Sequence, residues 1–157
     1  MVDNTSVKST YGTYLAVKDT DAYKILCPIQ DFPDLGGDPE MLQTTTLSDA
    51  SQTYIKGIQS MDSLPFTTNL YFGSESEEGS FLYIKNKYDK ADIHDFVVVF
   101  TKNPVVGTEL TAGVQLTAHF KGQLAIWANG GGVDEVVKCT ISISPSTEIT
   151  YSATMPA

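Results

Sequence analysis

The chain has 157 residues, enough for one domain with a sizeable core and too few for two full domains. Its formal charge is −9, from 19 Asp and Glu against 10 basic residues that are all Lys. Nucleic-acid binders gather Lys and Arg into patches, with Arg supplying bidentate forks to phosphate, so sequence-specific DNA or RNA recognition is disfavoured. Residues 1–7 lack the basic start and apolar stretch of a secretory leader, and no run reaches the roughly 18 apolar residues that span a bilayer. A protein made in the cytoplasm, with no membrane partner, is expected.

Residues 1–21 are rich in Thr, Ser, Asp and Lys, with Tyr11, Tyr14, Leu15 and Val17 spaced among them. This reads as an N-terminal arm that orders by docking on a neighbouring chain. A β-rich domain over 22–157 follows. Tyr23, Ile25, Cys27 and Ile29 fall two apart, as on one face of a strand ending near Pro28. Asp31 to Glu40 then carries two prolines beyond Pro28, a double glycine and several acids, which reads as a turn-rich loop. The acids do not follow the spacing of the twelve-residue calcium loop.

Met41 to Leu47, with three consecutive threonines, is a β-prone stretch, and residues 48–62 read as a long surface loop carrying Tyr54, Ile55 and Ile58. Leu64, Phe66, Thr68, Leu70 and Phe72 alternate with their neighbours as a strand does. One amphipathic helix is expected near 74–90. Ser74 is its predicted cap, Glu75, Glu77 and Glu78 suit its positive end, and Phe81, Ile84 and Tyr88 form its apolar stripe.

Phe96 to Phe100 is a buried-strand run. Val114, Leu116, Ala118, Phe120, Leu124, Ile126 and Ala128 share one parity, and Gln115, Thr117, His119, Lys121 and Gln123 the other. That is one long strand or two collinear ones, with Gly122 as the predicted bend or bulge. Asn129 to Gly132 signals a hairpin turn, after which Val133 to Ile143 alternates again up to Pro145.

Catalytic signatures are missing: the chain has no GxSxG, GxxxxGK, GxGxxG, HExxH or CxxC. Cys27 and Cys139 occupy apolar strand positions, where two buried thiols outweigh a disulfide. His94 and His119 read as surface or satisfied histidines, and Trp127 as a packing residue at a strand end. Neither an enzyme nor a cofactor is expected.

The order of elements and the stretches Ile25-Leu26-Cys27-Pro28, Pro33-Asp34-Leu35-Gly36-Gly37-Asp38-Pro39-Glu40, Thr44-Thr45-Thr46-Leu47-Ser48-Asp49 and Tyr54-Ile55-Lys56-Gly57 resemble the major tail tube proteins of long-tailed bacteriophages. The resemblance implies a mainly β fold with one α-helix, a β-sandwich or partly open β-barrel. It implies hexameric rings stacked into a virion tail tube around a channel for DNA, with tape measure and tail terminator proteins as partners. Tyr11, Tyr14, Leu15, Leu47, Tyr54, Ile55 and Ile58 would then meet neighbouring subunits, and Gln115, Thr117, Lys121 and Gln123 would face the lumen. The chain's charge further suggests an acidic channel wall that repels DNA. A ring protein of a related contractile injection system would share these features, whereas a monomeric β-sandwich binding module would show aromatics converging on one patch.

Overall fold

A computed structural model describes residues 13–59, 62–101 and 114–156. Its strands are β1 (Thr13–Asp19), β2 (Ala22–Pro28), β3 (Pro39–Gln43), β4 (Tyr54–Gln59), β5 (Leu64–Asn69), β6 (His94–Thr101), β7 (Val114–Ala128), β8 (Lys138–Pro145) and β9 (Thr150–Ser152), and its helix is α1 (Phe81–Tyr88). Seven strands form one antiparallel sheet in the order β2-β1-β6-β7-β8-β5, with β9 beside β7. Past the end of β2 the chain meets β5 at the other edge. The Asp31 and Thr67 backbones exchange hydrogen bonds of 3.3 and 3.0 Å, so the sheet closes into a barrel across one short seam.

The closed sheet encloses a core of Leu15, Val17, Phe66, Phe96, Phe120 and Ile141, among others, none more than 1 % exposed. Phe96 and Phe120 are cross-strand partners whose rings stack at 6.1 Å. β6 is buried on both faces. Phe96 and Val98 point into the barrel, while Val97 and Val99 join Ala16 in a second cluster under Tyr23, Ile25, Val114 and Met155. This double burial is why residues 96–99 are uniformly apolar.

β1 overturns the arm reading over its own length. Leu15 and Val17 lie in the core and Ala16 in the outer cluster, between β2 and β6. The loop expected over 48–62 is likewise replaced at 54–59 by β4, which pairs with β3 in a separate two-stranded hairpin.

The helix is shorter than the expected 74–90 and starts at Ser80, not Ser74. The Ser80 hydroxyl oxygen accepts from the Tyr83 N–H at 3.2 Å and donates to the Ser74 carbonyl at 2.9 Å. Glu75, Glu77 and Glu78 therefore lie before the helix, in turns that include Gly79 at φ 86. Ile84 and Tyr88 sink into the core and fasten α1 to it.

Gly122 is not a bulge, because neither ladder that meets there shifts register at it. It is the point where β7 hands over partners: β6 pairs with its first half up to Gly122, and β8 from Gly122 onward. A Cβ there would lie 2.5 Å from the Ser144 carbonyl oxygen, so only glycine allows the strands this close.

Candidate functional site: assembly surfaces

The hairpin of β3 and β4 stands outside the barrel sheet and carries the largest group of exposed apolar side chains on neighbouring strands. Leu42 pairs with Ile55, Met41 with Lys56 and Gln43 with Tyr54. Met41, Leu42, Tyr54 and Ile55 are about half exposed, while Ile58 is 88 % exposed and Leu47, in the tip, is fully exposed. A two-stranded ribbon has little core of its own, and exposed apolar groups of this size are the kind of surface that partners cover.

Local chemistry fixes the hairpin's shape. In the threonine run, Thr44 N–H donates to the Thr53 carbonyl at 2.8 Å, and Thr53 N–H donates to the Thr45 hydroxyl at 2.8 Å. Asp49 accepts from the Thr46 N–H at 2.6 Å while its own N–H donates to the Thr46 carbonyl at 3.1 Å, which closes the tip as a four-residue turn. Gly57 is required where the register slips between Pro39 and Met41, since a Cβ would come within 2.6 Å of the Glu40 carbonyl oxygen.

A second apolar group lies at the β7–β8 end of the barrel. The Leu70 N–H donates to the Val137 carbonyl at 2.9 Å and brings exposed Tyr71 and Phe72 alongside Val136 and Val137. Sequence reading missed this group because Tyr71 and Phe72 simply continue the β5 pattern, whereas β5 stops at Asn69.

Several predicted site residues fall elsewhere. Leu15 is buried in the core and makes no surface, and Tyr14 is half-buried on β1. Tyr11 lies outside the described residues. Thr117, expected to face a lumen, is fully buried because the C-terminal segment covers it: its hydroxyl donates toward the carbonyls of Ser152 at 3.2 Å and Thr154 at 2.9 Å. Gln115 lies on β7, and Lys121 and Gln123 are exposed there. Leu47, Tyr54, Ile55 and Ile58 are all exposed on one hairpin, so the structure brings these four together.

The ionisable groups pin elements together. Asp19 accepts from Lys87 at 2.9 Å and lies 3.3 Å from Lys24, which also reaches Glu78 at 3.3 Å. The hydrogen bonds from Lys87 and Lys24 hold the Asp19 carboxyl below its ordinary value. Asp89, at the end of α1, accepts from Lys85 at 2.7 Å and from the Ile126 N–H at 3.2 Å. Burial pushes its carboxyl up, but these two donors outweigh it and the net shift is downward. Asp95 lies 3.3 Å from His119 and 3.9 Å from Lys121. His94, set edge-on to Tyr88 and Phe96, leaves its buried Nε2 without a hydrogen-bond partner.

Both cysteines are buried free thiols, and burial pushes the Cys27 thiol up to about 12. Among the described residues no group of three His, Cys, Asp or Glu side chains could hold a metal ion, and no helix is long and apolar enough to cross a membrane.

Fold and surfaces together define a mainly β chain with one short helix, a closed antiparallel barrel and a projecting apolar hairpin. No family model matches it, and no curated protein does. Solved structures do share the fold. A chain of the PVC sheath–tube complex, from an extracellular contractile injection system in its extended state, is 10 % identical and superposes with a TM-score of 0.66 over 98 % of this chain and 99 % of its own. A chain of the PVC sheath/tube terminator in the extended state is 11 % identical, with a TM-score of 0.66 over 94 % and 97 %. A chain of the anti-feeding prophage cap, which terminates a tube, is 12 % identical, with a TM-score of 0.64 over 96 % of each.

Proposed function

We propose that this chain is a non-enzymatic tube subunit of a tail-like injection particle, forming hexameric rings that stack around a central channel. The carrying observation is the β3–β4 hairpin, whose apolar residues project from a barrel that already has a complete core of its own. A ring or a stack of rings supplies the surface that this ribbon lacks. The end-to-end fold likeness to chains of sheath–tube, terminator and cap assemblies supports this reading.

Sequence alone put the long-tailed phage tube first and the contractile system second. The solved likenesses come from contractile systems, so the order reverses. A sheath and a tube-terminating cap are then the expected partners, and the particle's tube is the expected location. A long-tailed phage tube would have tape measure and terminator proteins instead.

Negative-stain electron microscopy of concentrated protein, alone and seeded with a cap or tail-initiator complex, tests the assignment. Rings or tubes with a central hole are expected. Protein that stays monomeric under both conditions would refute it. Tubes that recruit a sheath subunit encoded beside this chain separate the contractile reading from the long-tailed one.

A further inference from the structure

The outward face of β5, β8 and β7 has a composition unlike the rest of this acidic surface. Cross-strand register builds it in rows: Ala125, Ser142 and Pro65 form one, and Trp127, Thr140 and Thr67 the next. Gln123 and Ser144 pair beside them. None of these side chains is ionisable, and each is exposed or half-exposed. Their few side-chain partners are at the rim: the Gln123 amide donates to the Ala91 carbonyl at 3.2 Å, and the Thr140 hydroxyl donates to the Asn129 side chain at 2.8 Å.

The bordering charges are of both signs, with Asp89 at the free edge of β7, where it accepts from the Ile126 N–H at 3.2 Å and from Lys85 at 2.7 Å. Lys121 precedes Gln123 on β7 and is held 3.9 Å from Asp95, while Lys138 pairs with Asn69 at the opposite end of the face. Asp31, opposite Thr67 at the seam, is the nearest carboxylate in register.

Protein contact surfaces are anchored by large apolar and aromatic side chains. This face has one, Trp127, at its rim, while the apolar residues suited to contact lie on the hairpin and at Tyr71, Phe72, Val136 and Val137. Short hydroxyl and amide side chains instead keep water and offer hydrogen bonds that exchange readily. Resting on the tube reading above, we infer that this uncharged face is the channel wall, and that the passage is non-ionic and does not sort its cargo by charge. The acidic wall expected from the net charge of −9 is thereby replaced: at this face the carboxylates stand at the edge, not in the field.

Single-cysteine labelling tests this directly, because Cys27 and Cys139 are buried and stay silent. Ser142→Cys is introduced at the centre of the face, and Ala125→Cys serves as the second variant should the first disturb folding. Each is treated as dissociated subunit and as tube with a small maleimide, a polymer-linked maleimide too large for the channel, and a cationic and an anionic methanethiosulfonate of similar size. The small reagent should label both forms, and the bulky one should label tubes at least an order of magnitude more slowly than subunits. At low ionic strength the cation-to-anion rate ratio in tubes should stay within twofold of that for mercaptoethanol. Unhindered bulky labelling in tubes would put the face outside and overturn the inference while leaving the tube standing. A ratio shifted tenfold in either direction would overturn the non-ionic passage. Failure of the parent chain to form tubes would overturn the tube reading, and this inference with it.

Discussion

Replacing Tyr54, Ile55 and Ile58 together by Ser should separate folding from assembly. These side chains are 50 %, 54 % and 88 % exposed and belong to a hairpin outside the barrel core. Their loss should change monomer stability by no more than about 1 kcal/mol. Phe120→Ala is the contrast. Phe120 is fully buried and stacked on Phe96, so truncation should cost roughly 3–5 kcal/mol. At about 2–4 °C per kcal/mol for a domain of this size, its Tm should fall by roughly 6–20 °C. Circular-dichroism melts measure the first quantity, and sedimentation velocity with electron microscopy measures assembly. The hairpin variant should melt near the parent and form no tubes. If it melts as early as Phe120→Ala, the hairpin belongs to the core; if it polymerises like the parent, the hairpin is not a ring contact.

Three smaller tests probe other links. Asp19 has a folded-state pKa lowered by Lys87 and Lys24, so its stabilising contribution is present above the ordinary carboxylate value and is lost as pH falls through the lowered one. Asp19→Asn should therefore reduce the drop in urea midpoint between about pH 4 and pH 2, and an unchanged drop would mean that the ion cluster adds nothing. Gly122→Ala forces a Cβ to 2.5 Å from the Ser144 carbonyl oxygen and 2.9 Å from Ile143 Cγ2, and should destabilise by roughly 1–3 kcal/mol in chemical denaturation; a neutral result would mean that β7 and β8 separate freely. Cys27 and Cys139 should react with a chromogenic disulfide reagent only at the rate of unfolding, and fast native-state reaction would contradict their burial.

The strands that could be read from sequence are those with one wet and one dry face, or, as in β6, an unbroken apolar run. β7 shows the alternation most clearly: Phe120, Leu124 and Ile126 are buried while Lys121, Gln123 and Ala125 are exposed. β1 was illegible because it shows neither an alternation nor an unbroken apolar run. It is dry on both sides, yet Ala16 fills the outer position and Thr13, Lys18 and Asp19 dilute the pattern, so a core strand read as a polar arm. β4 escaped because Tyr54 and Ile55 are adjacent, and no core selects one parity on a ribbon exposed at both.

The helix start misled because two serines each had an argument. The acids after Ser74 suit a helix N-terminus, but the geometry belongs to Ser80, whose cap bond a sequence does not display. Thr117 looked wet because its neighbours on that face are polar, and only a segment 35 residues away in sequence supplies the cover. Of the residues expected to meet neighbours, the hairpin group was legible as apolar side chains without a periodic core role, and the structure leaves them exposed.

Under the proposed tube role, the threonine tip of the hairpin also bears on the rate of subunit addition. The Thr44–Thr53 and Thr45–Thr53 hydrogen bonds, with the Asp49 turn, hold the ribbon in one shape before any second molecule arrives. A floppy arm would have to be ordered at each encounter, at about 0.5–1.5 kcal/mol for every side chain immobilised. A pre-shaped ribbon avoids much of that loss, so more of its collisions lead to capture, and growth depends on how often subunits meet more than on how slowly they rearrange.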